Sequence, residues 1–190
     1  MHMHGISILG ASGNAGAYLL RISLDAPVTT PFGRLQLGRP FVLEAGQYLY
    51  AGSACGRRGA SALPCRLLRH ASRTAARPPH RIVGDLTAAL MMANFTGVHA
   101  PLSPKTLRWH IDYLLELVEA EVVAVCILRH VAVHETALVR WLSSIPEVTT
   151  PILGFGASDD PGASHLLRIP DEDSWWNKFQ TQLQTWFDDE

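Results

Sequence analysis

A chain of 190 residues, 47% hydrophobic and 17% charged, is long enough for one folded domain with a core, too short for two full domains, and too apolar for a disordered chain. The net charge of −1 points to no partner by itself, and Cys55, Cys65 and Cys126 form no C-x-x-C pair, which speaks against a disulfide framework or a thiolate zinc site. No apolar run approaches the ~20 residues needed to cross a bilayer, and the opening "MHMHGISILGASGNAG" lacks the charged and long apolar regions of a secretory signal, so a cytoplasmic protein without a membrane partner is expected.

Residues 1–15 read as an N-terminal extension in which His2 and His4 are a frayed end. "AYLLRISL", 17–24, has the alternation of a strand with Tyr18, Leu20, Ile22 and Leu24 on one face. "DAPVTTPFG" breaks it. "RLQLGRPFVLEAGQYLYAGS" reads as short strands of a meander, the last carrying Tyr48, Tyr50 and Gly52 on a common side. From Leu63 the period changes to that of a helix, with Leu63, Leu67 and Ala71 on one face and Arg66, Arg69, His70 and Arg73 forming a stripe on another.

Residues 75–108, rich in proline, are expected to be an insertion holding one short helix over "VGDLTAALMMANF". "WHIDYLLELVEA" has helical spacing, with Ile111, Leu114, Leu115 and Val118 inward and Asp112, Glu116 and Glu119 on the wet side. "EVVAVCILRH" is a β-branched run suited to a buried central strand, and "HETALVRWLSSI" a helix opening near Glu135. A glycine-rich loop and a short strand follow, and "SWWNKFQTQLQTWF" forms a tail helix opening at Ser174. The predicted fold is α/β (α+β): a small, mainly antiparallel central sheet flanked by helices, with an extra hairpin and a helical insertion. Its organisation is extension 1–15, domain 16–170 and helical tail 171–190.

Charge is unevenly spread. Between Glu44 and Asp85 there is no acid, while Arg57, Arg58, Arg66, Arg69, Arg73, Arg77 and Arg81 all fall there. Taken singly, each feature has a structural explanation: the tyrosines as half-buried strand residues, Glu135 as a charge favoured in a first helical turn, the arginines as a solvated face.

In order, the chain presents Gly16-Ala17-Tyr18, Tyr50-Ala51-Gly52, Arg66 and His70 four apart on a helix, a central strand, and Glu135 on the next helix. This order resembles the GIY-YIG nuclease domain. "YLYAGSACGRRGASALPCRLLRH", "WHIDYLL" and "GFGASDD" with "SHLLR" resemble, more specifically, its domain-of-unknown-function 123 (DUF123) branch, over roughly residues 16–170. The resemblance implies a metal-dependent nuclease acting on DNA phosphodiesters. Glu135 would hold Mg²⁺ or Mn²⁺, Tyr18 and Tyr50 would orient water, Arg66 would clamp the scissile phosphate, and His70 would donate a hydrogen bond or proton. Arg57, Arg58, Arg69 and Arg73 would meet the DNA backbone. His110, Asp112, Asp159 and His165 would form a second cluster around the W-H-I-D, S-D and S-H-L motifs. The chain departs from the pattern at Ala17 and Ala51, which stand where isoleucines are usual, and at Asp160 and Gly162-Ala163, where the family commonly has cysteines. The rival reading is a non-catalytic nucleic-acid-binding or protein-docking module on a nuclease-like scaffold.

Overall fold

The computed structural model describes all residues except 1, 4, 12, 57, 75–76, 99–104, 131–132, 134 and 158–161. Among the described residues, the main sheet has six strands: β1 (His2–Met3), β2 (Ile6–Leu9), β3 (Gly16–Leu24), β6 (Gly46–Ala54), β7 (Ala120–Leu128) and β8 (Leu166–Ile169), with β4 (Val28–Pro31) and β5 (Pro40–Leu43) making a separate hairpin. The main sheet runs in the order β1-β2-β7-β3-β6-β8, with the β2–β7 pair parallel and the others antiparallel. The expected class, hairpin included, is what the chain adopts. Five helices are described: α1 (Leu63–Ala71), α2 (Val83–Met92), α3 (His110–Leu115), α4 (Glu135–Ser143) and α5 (Asp173–Asp189). None is long and apolar enough to cross a membrane.

The period of two in β3 sorts its side chains between two cores. Tyr18, Leu20, Ile22 and Leu24 join one cluster with Leu67 of α1, Leu86 of α2 and Leu114 of α3, whereas Ala17 and Leu19 join the other with Leu138 of α4 and Phe179 of α5. The sheet is thus covered on both faces. Helix α1 starts without a side-chain cap; Pro64 occupies its first turn, and the Leu63 N–H donates instead to the Asn14 carbonyl at 2.8 Å. That bond ties the basic helix to the loop leading into β3.

Several expectations need correction. Residues 6–9 are not part of an appendage: Ile6–Leu9 is a fully buried strand beside β7, and a strand buried on both faces shows no alternation to betray it. "VTTP" is strand β4, while Leu35–Gly38 is a kinked segment of 3-10 character, broken by Gln36 and Leu37 at positive φ, with Leu37 wholly exposed. Helix α3 ends at Leu115, so Val118 faces solvent, whereas Asp112 and Glu116 are buried. Their carboxylates answer backbone N–H groups, as described below. Helix α5 opens at Asp173 without a side-chain cap. Its tryptophans pack on the domain: Trp176 is buried, and Trp186 stacks on Trp141 of α4 at 5.2 Å.

Candidate active site

Tyr18 and Tyr50 come from adjacent antiparallel strands, where Tyr18 is paired with Gly52. A Cβ on Gly52 would lie 2.4 Å from the Tyr18 hydroxyl and ring, so the glycine is what lets the phenol lie across β6. His70, in the last turn of α1, completes the group: its Nε2 is 2.8 Å from the Tyr18 hydroxyl, and its ring is 6.1 Å from that of Tyr50. All three are buried.

One turn earlier on α1, Arg66 donates from Nη1 to the Ser53 carbonyl at 3.2 Å, and its guanidinium lies 4.5 Å from the centre of the Trp109 ring. It is close enough to both phenols to favour their ionised forms, while Glu135 is close enough to both to oppose them. Burial dominates. With Tyr50 and Glu135 beside it, burial pushes the Tyr18 phenol well above its usual range, Arg66 pulling back; Tyr50 is raised for the same first reason, then by Glu135. Burial likewise depresses His70, which Asp112 opposes and Lys105, Arg66 and Arg69 reinforce, so the imidazole is neutral.

Four elements, β3, β6, α1 and α4, therefore bring Tyr18, Tyr50, Arg66, His70 and Glu135 to one place. Polar atoms are left over there. Glu135 Oε2, Arg66 Nε and His70 Nδ1 are buried with no hydrogen-bond partner among the described residues. Buried polar groups are ordinarily satisfied, and Arg69 Nε, Asp112 Oδ1 and His80 Nε2 are left in the same way. Among the described residues no three His, Cys, Asp or Glu side chains come together as a metal cage. A metal here would rest on the Glu135 carboxylate as its single protein ligand, a donor set that suits a hard cation retaining its waters.

The arginine stripe divides. Arg58 is exposed and Arg57 lies outside the described residues. Arg69 and Arg73 turn inward, with side chains 18% and 11% exposed, so the expectation that they face DNA is corrected. Arg73 donates to the Leu115 carbonyl at the end of α3 and to the Pro78, Leu117 and Ala120 carbonyls, while Arg69 binds Asp112 at 2.8 Å and the Thr106 carbonyl.

The predicted second cluster is not a separate site. His110 Nδ1 accepts the Gly156 N–H at 3.0 Å, and its ring packs on Phe155, while His165 faces Tyr50 with ring centres 6.5 Å apart. Asp112, expected in solvent, is fully buried behind His70. Asp159 lies outside the described residues. His165 lies beside Tyr50 and Asp112 behind His70, with His110 packed on Phe155 next to Tyr50. Gly156 fits this packing: at φ +80° its absent Cβ would sit 3.0 Å from that of His165. Two further contributors have weaker signals in the sequence. Trp109, whose ring carries Arg66 and Arg69, was marked only by its place in W-H-I-D. Gly52 could have been found by pairing the two tyrosine strands in antiparallel register.

A surface cleft of about 690 Å³ opens near the start of β3, lined by Gly10, Asn14, Arg129, His130 and Phe187 among others, and holds none of the five side chains. Its arginine is already bonded to the Gly13 and Ala93 carbonyls.

A family model described as "Domain of unknown function DUF123" matches residues 17–187. The chain belongs to the DUF123 family. No curated protein and no solved structure matches it. The DUF123 match extends beyond the site itself, from the first site strand to the tail helix, and so takes in α5 and its tryptophans as part of the family's body.

Proposed function

We propose that the protein is a metal-dependent nuclease of the GIY-YIG kind, hydrolysing DNA phosphodiester bonds. The observation that carries this reading is the convergence of Tyr18, Tyr50, Arg66, His70 and Glu135, with Glu135 Oε2 buried and unpartnered. Glu135 would hold Mg²⁺ or Mn²⁺, which supplies neutralisation of charge on the phosphoryl oxygens. Arg66, held by Ser53 and Trp109, keeps its Nε free to donate to the scissile phosphate.

The raised Tyr18 phenol is a poor base alone. Joined to His70 it becomes a relay: a water that attacks phosphorus gives its proton to the Tyr18 oxygen as the phenol passes its own to His70 Nε2. The new P–O bond forms as the ester P–O bond breaks, and the departing oxygen takes a proton from solvent. A bound phosphate, being anionic, raises the proton affinity of the depressed imidazole at the moment it is needed. Tyr50, between His70 and His165, positions the attacking water.

The near-complete burial of Tyr18, 1% exposed, favours the second reading, a nucleic-acid-binding or protein-docking module in which the tyrosines only pack. The two separate in one experiment. The purified protein and its Glu135→Ala variant are incubated with labelled single-stranded, duplex and branched DNA, with Mg²⁺, Mn²⁺ or chelator. Metal-dependent cleavage lost in the variant supports the nuclease. DNA binding without cleavage under every condition establishes the module instead.

A further inference from the structure

Asp112 uses its two oxygens differently. Oδ2 accepts three N–H donors: Arg69 Nη2 at 2.8 Å, the Arg108 backbone at 2.8 Å and the Trp109 backbone at 3.0 Å. Oδ1 accepts none. It is buried and faces His70 Nδ1, equally buried and equally without a partner, 4.0 Å away. The distance is beyond a hydrogen bond, yet inside a dry core a carboxylate at this range still repels a lone pair and attracts an N–H. The remaining charged or titratable neighbours of His70 are Tyr18, Tyr50, Lys105, Arg66 and Arg69. The three cationic ones disfavour protonation of the ring but do not choose between its two neutral forms.

We propose that Asp112 is a positioning residue that fixes His70 as the Nδ1–H tautomer, leaving Nε2 bare to accept the Tyr18 hydroxyl. The Tyr18 hydroxyl then donates to His70, and its oxygen lone pairs remain free for water. With the opposite tautomer the bond reverses: Nε2–H donates to the Tyr18 oxygen and the relay has nowhere to send a proton. The W-H-I-D segment thereby acquires a chemical role in two of its residues, Trp109 beneath Arg66 and Asp112 behind His70. The catalytic consequence rests on the nuclease reading; the tautomer itself does not.

Asp112→Asn is a directed test because the surroundings dictate how the amide sits. Three N–H donors at the Oδ2 position require the amide oxygen there, which points the –NH₂ at His70 Nδ1 and favours the reversed tautomer. The full chain, labelled with ¹⁵N-histidine, is observed through two-bond ¹H–¹⁵N correlations, with His70 assigned by its disappearance in His70→Gln. The wild-type protein is expected to show protonated Nδ1 and bare Nε2, and the Asn variant the swapped pattern. A wild-type spectrum with protonated Nε2, or an Asn variant with an unchanged pattern, overturns the proposal. Should the Asn variant fail to fold, the wild-type spectrum still decides. On a DNA substrate that the wild-type enzyme cleaves, kcat of the variant falls by at least about 10²-fold with KM little changed, as general-base catalysis and a misplaced tautomer require. An unchanged kcat removes the positioning role. Wild-type protein that cleaves nothing sinks the nuclease reading and leaves the spectrum to judge the tautomer.

Discussion

Two buried polar clusters lie close together in this molecule, and they are built on opposite principles. In the first, around Tyr18, the side chains of His70, Arg66 and Glu135 leave polar atoms without partners among the described residues. In the second, just past the end of α1, most charged groups are paired, although His80 Nε2 is also buried without a partner among the described residues. Glu116 accepts the Thr74 N–H on both oxygens at 3.0 Å, the Thr74 hydroxyl at 2.7 Å and the Lys105 ammonium at 3.2 Å. Arg73 is surrounded by carbonyls, and His80 Nδ1 accepts the Val122 N–H at 3.1 Å. Burial of charge therefore does not distinguish a site from a brace. Unspent atoms occur in both, but in the first Glu135 Oε2, Arg66 Nε and His70 Nδ1 gather around the Tyr18 and Tyr50 phenols, whereas in the second His80 Nε2 sits inside a network otherwise completed by folding.

The widest separation of the two clusters comes from removing one carboxylate in each. Glu116→Ala leaves the Lys105 ammonium, 2% exposed, without its counter-ion, and is expected to lower unfolding free energy by about 3 kcal/mol or more in urea titrations. Cleavage per folded molecule stays unchanged. Glu135→Ala does the reverse, abolishing cleavage while the unfolding free energy stays within about 0.5 kcal/mol of wild type. A Glu135 variant that unfolds instead would make that residue another brace.

Gly52→Ala disturbs the first cluster without touching a polar group. Its Cβ would arrive 2.4 Å from the Tyr18 hydroxyl, forcing the phenol away from His70. Overpacking of this kind costs about 1–3 kcal/mol, and a displaced relay should lose at least about tenfold in rate. A fully active Gly52→Ala protein would show that the Tyr18–His70 contact is dispensable.

Legibility in the sequence followed the same division. The first cluster is made of residue types whose order along the chain is recognisable, and all five side chains proposed from that order do meet, because β3, β6 and α1 each kept the periodicity their apolar residues announced. The second cluster was invisible. Asp112 and Glu116 occupy the polar positions of an amphipathic pattern and were expected in water; what buries them is the early end of α3, set by tertiary partners on Thr74, Lys105 and Arg69 that no local pattern encodes. Arg69 and Arg73 turn inward, against the expectation of a solvent-facing stripe, for the same reason. Helical spacing says which side chains share a face, not which carbonyls across the core need a donor. Strand β2 escaped because both of its faces are covered.

Acid should weaken the braced cluster first through its histidine. Burial, then Arg73, hold His80 below its ordinary value against the pull of Glu121, and the same direction holds for His70. The unfolded chain takes up a proton near pH 6.5 that the folded chain refuses. The stabilising difference is thus complete above that value and is lost as pH falls below it, at up to about 1.4 kcal/mol per pH unit for each imidazole. Glu116 and Asp112 follow lower down: burial opposes their ionisation, but Thr74 and Lys105 for one and the Trp109 and Arg108 N–H groups for the other hold both below the usual range. Their contribution is present above about pH 4 and disappears beneath it. Urea midpoints between pH 7 and 5 should decline in wild type, and the decline should be shallower in His80→Gln by about one proton's worth. An identical slope in the two proteins would mean that His80 charges freely in the fold.

The smallest effect concerns the arginines, which the two clusters share out. Arg58 lies exposed beyond β6 in the acid-free stretch, whereas Arg73 is consumed by carbonyls. If DNA runs past the first cluster, Arg58→Ala should weaken binding modestly on every sequence and reduce the slope of log affinity against log salt by about 0.9, the value for one phosphate contact on duplex DNA. Arg73→Ala should leave that slope where it was and lower stability, since four backbone carbonyls lose the arginine as a donor. Fluorescence-anisotropy titrations at several salt concentrations read both. A salt slope that falls for Arg73 and not for Arg58 would place the DNA on the braced cluster, and the unspent atoms around Glu135 would then need another explanation.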